Sequence, residues 1–180
     1  MLRWLMRRQI DAFEKSFGYD VSYLREMLDA SPRALMRFGQ VMKLSNHRED
    51  APLDAWYAAK LAATMHEDCG PCTQLVVDMA DRHGVSPAVL RAIVAGNPDA
   101  MPPDAAIAWR FAEATLAHDL AADPLRDEIV KRWGKRALVT LALAITSSRM
   151  YPTVKYALGH GRACARVRVG GSETAVPHPA

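Results

Sequence analysis

Helical periodicity runs through almost the whole chain, and no segment alternates convincingly between apolar and polar residues. Apolar residues that recur every three or four positions line one face of a helix, whereas a half-buried strand needs a period of two. The pattern therefore predicts an all-α, compact multi-helix fold. Leu2, Leu5, Met6, Ile10, Phe13 and Phe17 share one face of a first helix that Gly18 can end. Asp20 can cap a short second helix carrying Leu24, Met27 and Leu28. Ser31-Pro32 places a capping hydroxyl before a proline at the first helical position, opening a helix with Leu35 and Met42 inward. A polar loop follows from Ser45 to Asp50.

Pro52 opens a helix in which Leu53, Tyr57, Leu61 and Met65 repeat every fourth residue. The next helix begins near Pro71, with Cys72, Leu75, Val76, Met79 and Ala80 inward and Thr73, Gln74, Asp78 and Arg82 mainly outward, and Gly84 ends it. Ser86-Pro87 starts another with Leu90, Ile93 and Val94 inward. Further helices run over Asp104–Asp119 and from Asp123-Pro124 to Trp133-Gly134. Arg136 to Arg149 is apolar nearly all round and reads as a central, buried helix, after which Pro152 should break or kink the chain. From Arg162 the composition turns to Arg, Gly, Ser and Pro, which reads as a mobile or partner-clasping arm. The organisation is one helical domain over 1–161, divided into an N-terminal helical extension (1–30) and a core (31–161), followed by a flexible basic tail over 162–180.

A chain of 180 residues can bury a sizeable core without a disulfide or a metal. A formal net charge of only +3 argues against nucleic acid as a partner. The longest near-apolar run, Ala137 to Ile145, is too short to span a bilayer, so no membrane partner is expected. Three cysteines in a chain this long do not form a secreted disulfide framework, and the start of the sequence lacks the apolar run of a signal peptide. The expected location is the cytoplasm, where a Cys-x-x-Cys pair is catalytic, redox-sensing or metal-binding more readily than a static staple.

The chemistry concentrates in Met65-His66-Glu67-Asp68-Cys69-Gly70-Pro71-Cys72. Cys69 falls near the cap of a helix, where free N–H groups and the helix dipole favour a thiolate. The spacing lets the two sulfurs bond to each other. His66 and Glu67 arrive from the preceding helix as candidate proton donors or acceptors. Two other readings use the same residues. The cysteines can be small apolar packing residues, or they can bind zinc together with His66 and either His160 or Cys164. The candidate catalytic site is Cys69, Cys72, Glu67 and His66, with no cofactor and no metal expected.

On this motif and the all-helical layout from Ser31 to Gly159, the chain resembles the alkylhydroperoxidase D-like branch of the carboxymuconolactone decarboxylase superfamily. The resemblance implies an all-α homo-oligomer, a trimer or hexamer, with peroxidase or disulfide-reductase activity. Its fuller pattern has a His four residues after the second Cys, a position held here by Val76. His66 or Glu67 would then move the proton, or only dithiol–disulfide exchange remains. The resemblance favours Cys72 as the attacking sulfur and Cys69, taken as the more exposed, as the resolving one. The expected enzyme is a thiol-dependent antioxidant oxidoreductase that reduces a small peroxide or disulfide and is restored by an external dithiol or thioredoxin-like reductant. The rival expectation is a non-catalytic helical oligomer or redox sensor.

Overall fold

The computed structural model describes residues 1–163 and 166–177. The helices follow the order α1 (Leu2–Phe17), α2 (Ser22–Ala30), α3 (Pro32–Phe38), α4 (Val41–Ser45), α5 (Leu53–His66), α6 (Gly70–Arg82), α7 (Pro87–Val94), α8 (Pro103–Leu116) and α9 (Ala122–Ala157). A 3-10 turn lies over Pro98–Ala100, and two short strands, β1 (Arg166–Val169) and β2 (Ser172–Ala175), close the chain.

Local chemistry sets most of these boundaries. Gly18 ends α1 at a φ of 60°, and its N–H donates to the Glu14 carbonyl. The Ser31 hydroxyl accepts from the Ala34 N–H, and Ser86 does the same for Val89, each ahead of a proline. Asp20 does not cap α2 directly. Its carboxylate holds the Ser22 N–H and hydroxyl in a tight turn, and Val21 occupies the cap position. The expected third helix divides into α3 and α4, which leaves Met42 51% exposed rather than inward. The helix opened at Asp123-Pro124 breaks at Gly134, whose φ of 84° is outside helical space.

At the centre lies α5. Eleven consecutive residues, Ala55 to Met65, are all buried, so this helix is covered on every side instead of along one stripe. It packs most extensively against α8 and α9. Both helices bury many small side chains: Ala55, Ala58, Ala59, Ala62 and Ala63 on α5, and Ala105, Ala108 and Ala112 on α8. The fully enclosed helix is thus α5. The segment expected there, Arg136 to Arg149, buries Ala137, Leu141, Ala144 and Ile145 but leaves Val139 53% exposed. Pro152 also departs from expectation, because α9 keeps helical dihedrals through it to Ala157. Its neighbours on the inner face, Ser148 and Lys155, are buried along with it.

A second apolar cluster forms where α1, α2 and α3 meet, built from Ile10, Tyr19, Val21, Tyr23, Leu28 and Leu35, with Leu75, Val154 and Leu158 packed beside it. The N-terminal helices therefore rest on α6 and on the end of α9.

Within the stretch 162–180, β1 and β2 form an antiparallel hairpin. Val167 pairs with Thr174 and Val169 with Ser172. Arg-Val-Arg-Val alternates with period two, so Val167 and Val169 enter the main core while the arginines face out. Gln74 ties the hairpin to α6. Its Nε2 donates to the Arg168 carbonyl (3.0 Å), and its Oε1 accepts from the Arg168 N–H (2.7 Å). Four residues of alternation in a basic, glycine-bearing stretch gave too short a pattern to separate from a loop.

Lys60 provides a stability test away from the cysteines. It is buried on α5, where its Nζ donates to the Ser45 carbonyl and hydroxyl and lies 4.2 Å from the centre of the Trp56 ring. Burial lowers its pKa from 10.5 to about 8. Between those two values the unfolded chain binds the proton and the folded protein does not, so this residue makes stability rise with pH. Below the folded value the cost of burying the charge, about 3 kcal/mol, is fully present. Denaturant titrations should show wild-type stability gaining on Lys60→Met by an amount of that order as pH rises through the window. A constant difference across it would contradict the assignment.

Candidate functional site

The turn between α5 and α6 places both cysteines. Glu67 ends α5, and Asp68 adopts a left-handed φ of 48° that reverses the chain within one residue. Cys69 then takes the N-cap position of α6 with an extended backbone, and Pro71 fills the first turn. Cys69 and Cys72 are bonded as a disulfide, with their Cα atoms 5.3 Å apart. Thr73 secures the turn from below, since its N–H and hydroxyl both donate to the Cys69 carbonyl. Thr73 is therefore buried rather than outward.

Both sulfur residues are enclosed, Cys69 at 0% exposure and Cys72 at 4%. Cys69 is thus not the more exposed partner. Two parts of the chain provide the cover. On the N-terminal side stands Tyr19, between α1 and α2, whose hydroxyl lies 3.6 Å from the Cys72 Sγ. A disulfide sulfur carries no hydrogen, so the phenol is the donor in this contact. Burial pushes the Tyr19 phenol up to about 12, so it keeps its proton near neutrality. Tyr19 is held by edge-to-face contacts with Phe13 and Tyr23.

The second cover is the strap after α9. The Arg162 carbonyl accepts from the Gly70 N–H at 3.1 Å, so the first amide of α6 is already occupied. Tyr156 donates its hydroxyl to the Asp68 carbonyl at 2.7 Å. Gly161 passes so close to the Tyr156 ring that a Cβ there would collide with it. Gly161→Ala should therefore displace Tyr156 and break its bond to the Asp68 carbonyl, costing about 1–3 kcal/mol. Reduced protein carrying it should be alkylated faster at Cys69 than wild type; an unchanged rate and melting temperature would show that the strap does not depend on this contact.

The proton-transfer candidates read from sequence are held elsewhere. Glu67 pairs with Arg149 of α9 (2.5 Å) and accepts a longer bond from Thr153. His66 is exposed and lies near Glu113, whose carboxyl is raised by burial and lowered by the His66 charge. Among the described residues, the hydrogen bond to a sulfur comes from Tyr19 and not from His66 or Glu67. A cleft of about 480 Å³ between α8 and α9 is lined by residues including Leu116, His118, Arg149 and Thr153, and neither cysteine lines it.

For the zinc reading, His160 bonds Glu26 at 2.6 Å, and Cys164 lies outside the described residues. Among the described residues no group of three or more His, Cys, Asp and Glu is placed to hold a metal ion. None of their helices is long and apolar enough to cross a membrane. Tyr57, expected in the core, is buried there, and its hydroxyl also reaches the His83 Nδ1 at 2.6 Å.

Sequence reasoning missed Tyr19 and, behind it, Lys155. A tyrosine after a helix-ending glycine carries no pattern of its own. Lys155 did leave a signal, because it follows Leu141, Ala144, Ser148 and Pro152 on one inner stripe of α9, where a lysine is out of place.

No protein-family profile, curated protein or solved structure matches this chain.

Proposed function

We propose that the protein is a thiol–disulfide oxidoreductase that cycles Cys69 and Cys72 between dithiol and disulfide. The observation that carries this reading is the disulfide at the N-cap of α6 with a protonated phenol against one of its sulfurs. A structural staple across three residues constrains little chain, so stability alone is a weak reason for the bond.

The substrate is a small disulfide or peroxide, and Cys72 attacks it. With a disulfide RS–SR′, the Cys72 thiolate forms a Cys72–SR bond and R′S⁻ leaves. Cys69 then attacks Cys72 and releases RS⁻ as the internal disulfide closes. With a peroxide, the Cys72 thiolate takes the distal oxygen and becomes a sulfenic acid, and the alcohol departs after taking up a proton. Cys69 expels that oxygen as water while forming the same disulfide. An external dithiol or thioredoxin-like protein returns two electrons, which suits a reducing compartment such as the cytoplasm. The alkylhydroperoxidase D-like resemblance supports this reading and a trimeric or hexameric assembly, and the helical fold is compatible with both.

Enclosure of both sulfurs favours a second reading, a slow redox sensor that keeps the disulfide without rapid turnover. Steady-state reduction of hydrogen peroxide and of a small aromatic disulfide, with dithiothreitol as reductant, tests the pair of readings. Cysteine-dependent multiple turnover supports the enzyme. A single stoichiometric oxidation with no turnover would replace it with the sensor.

A further inference from the structure

Lys155 lies on the inner face of α9 with 0% exposure, and its Nζ has no hydrogen-bond partner among the described residues. It sits instead 4.5 Å from the centre of the Tyr19 ring and 5.3 Å from that of Tyr23. A buried ammonium without a paired anion is costly, and cation–π contacts recover only part of that cost. The charged and titratable groups around it come from three places. Asp20, before α2, favours the ammonium, although its carboxylate is also engaged by Ser22. Arg162, on the strap, opposes it. Tyr19 and Tyr23 close it in, and Tyr151 of α9 faces the two phenols. Desolvation is the largest effect and holds the amine below the ordinary lysine range.

The partner this cation lacks is an anion that exists only after reduction. In the disulfide neither sulfur is charged, whereas the reduced pair can place a thiolate at Cys72, next to the Tyr19 hydroxyl. We propose that in the reduced protein Tyr19 donates its hydrogen bond to the Cys72 thiolate and Lys155, behind the Tyr19 and Tyr23 rings, supplies the countercharge. Tyr19 touches the reacting sulfur and is a catalytic residue in this scheme. Lys155 acts through Tyr19 and is a positioning residue. The inference rests on the dithiol cycle proposed above and gives that cycle a direction. A thiolate of the external dithiol attacks the Cys69 sulfur, the Cys69–Cys72 bond breaks, and its electron pair leaves on the Cys72 sulfur. The second thiol of the reductant then attacks the mixed disulfide and departs as its own disulfide. Of the two protons the dithiol brought, one remains on Cys69 and the other goes to solvent.

The test follows Cys72 itself in reduced protein. Thiolate absorbance is titrated against pH, and iodoacetamide alkylation is read site by site by mass spectrometry, which keeps Cys164 separate. Wild-type Cys72 should ionise below the roughly 8.5 of a free cysteine. Tyr19→Phe and Lys155→Met should each raise that midpoint by about one pH unit, slowing alkylation at pH 7 by about threefold once the greater nucleophilicity of the more basic thiolate is counted. Lys155→Met removes an unpaired buried charge, so its oxidised form should melt no lower than wild type. That keeps a chemical loss apart from a folding defect. Midpoints unchanged in both folded variants would overturn the inference while leaving disulfide turnover intact. Absence of turnover in wild type would instead remove the dithiol cycle itself, whatever the midpoints.

Discussion

Cys72→Ser is expected to abolish multiple-turnover reduction of peroxide or disulfide, a fall of about 10³-fold or more, equivalent to about 4 kcal/mol of barrier. A hydroxyl in that position is not ionised near neutrality and cannot form the internal disulfide. Cys69→Ser should fail differently. Without added thiol its Cys72 can still attack once, so the protein should accumulate as a sulfenic acid or a mixed disulfide, visible as a mass increase, and then stop. Both variants should keep the wild-type helical spectrum, because a bridge across three residues restricts the unfolded chain only slightly. The pair is therefore a test of chemistry rather than of folding. Full turnover in both single variants would end the enzymatic reading.

The largest effect on stability is expected from Leu61→Ala, about 2–5 kcal/mol, read from denaturant midpoints. Leu61 is fully buried near the middle of α5, the helix enclosed by α6, α7, α8 and α9. The loss combines transfer free energy with a cavity, and here the cavity has little means of collapsing. Leu61 belongs to the main core cluster, and a close-packed interior relaxes only in part around a deleted side chain. Domains of ordinary stability hold about 5–15 kcal/mol in total, so the variant should lie near the limit of folding at physiological temperature. The same protein, where still folded, should retain the ionisation of Cys72, since Leu61 belongs to the main core and Tyr19 to the N-terminal cluster. A loss below 1 kcal/mol would mean that α5 is less tightly enclosed than its burial indicates.

How much could be read in advance depended on how local the cause was. Ser31, Ser86, Gly18 and Gly134 act within a turn of their own position, and the helix ends they set were legible. The Cys69–Cys72 turn was legible for the same reason, since Gly70-Pro71 suits only the opening of a helix. Which helix becomes central was not, because α5 and the Arg136–Arg149 segment are both rich in apolar residues. The outcome turned on the packing of α8 against α5, a property of two distant segments together. The hairpin at Val167 and Val169 was missed because four alternating residues gain meaning only from Gln74, more than ninety positions earlier. Glu67 was drawn to the sulfurs by its place in the sequence, yet Arg149 of α9 holds its carboxylate. The group that does meet Cys72 is Tyr19, from the N-terminal flank, and Lys155, from the opposite flank, lies against the Tyr19 ring.

The Gly70 N–H to Arg162 carbonyl bond has a consequence for biosynthesis. Residues 69 and 72 leave the ribosome some ninety positions before the segment that roofs them, and the exit tunnel delays that segment further. Throughout this interval the side of the thiols that the strap will cover stands open to oxidants and to small thiols. The strap therefore closes only after the rest of the site has been made, and a polypeptide truncated before Arg162 would lack one of the two covers over its sulfurs.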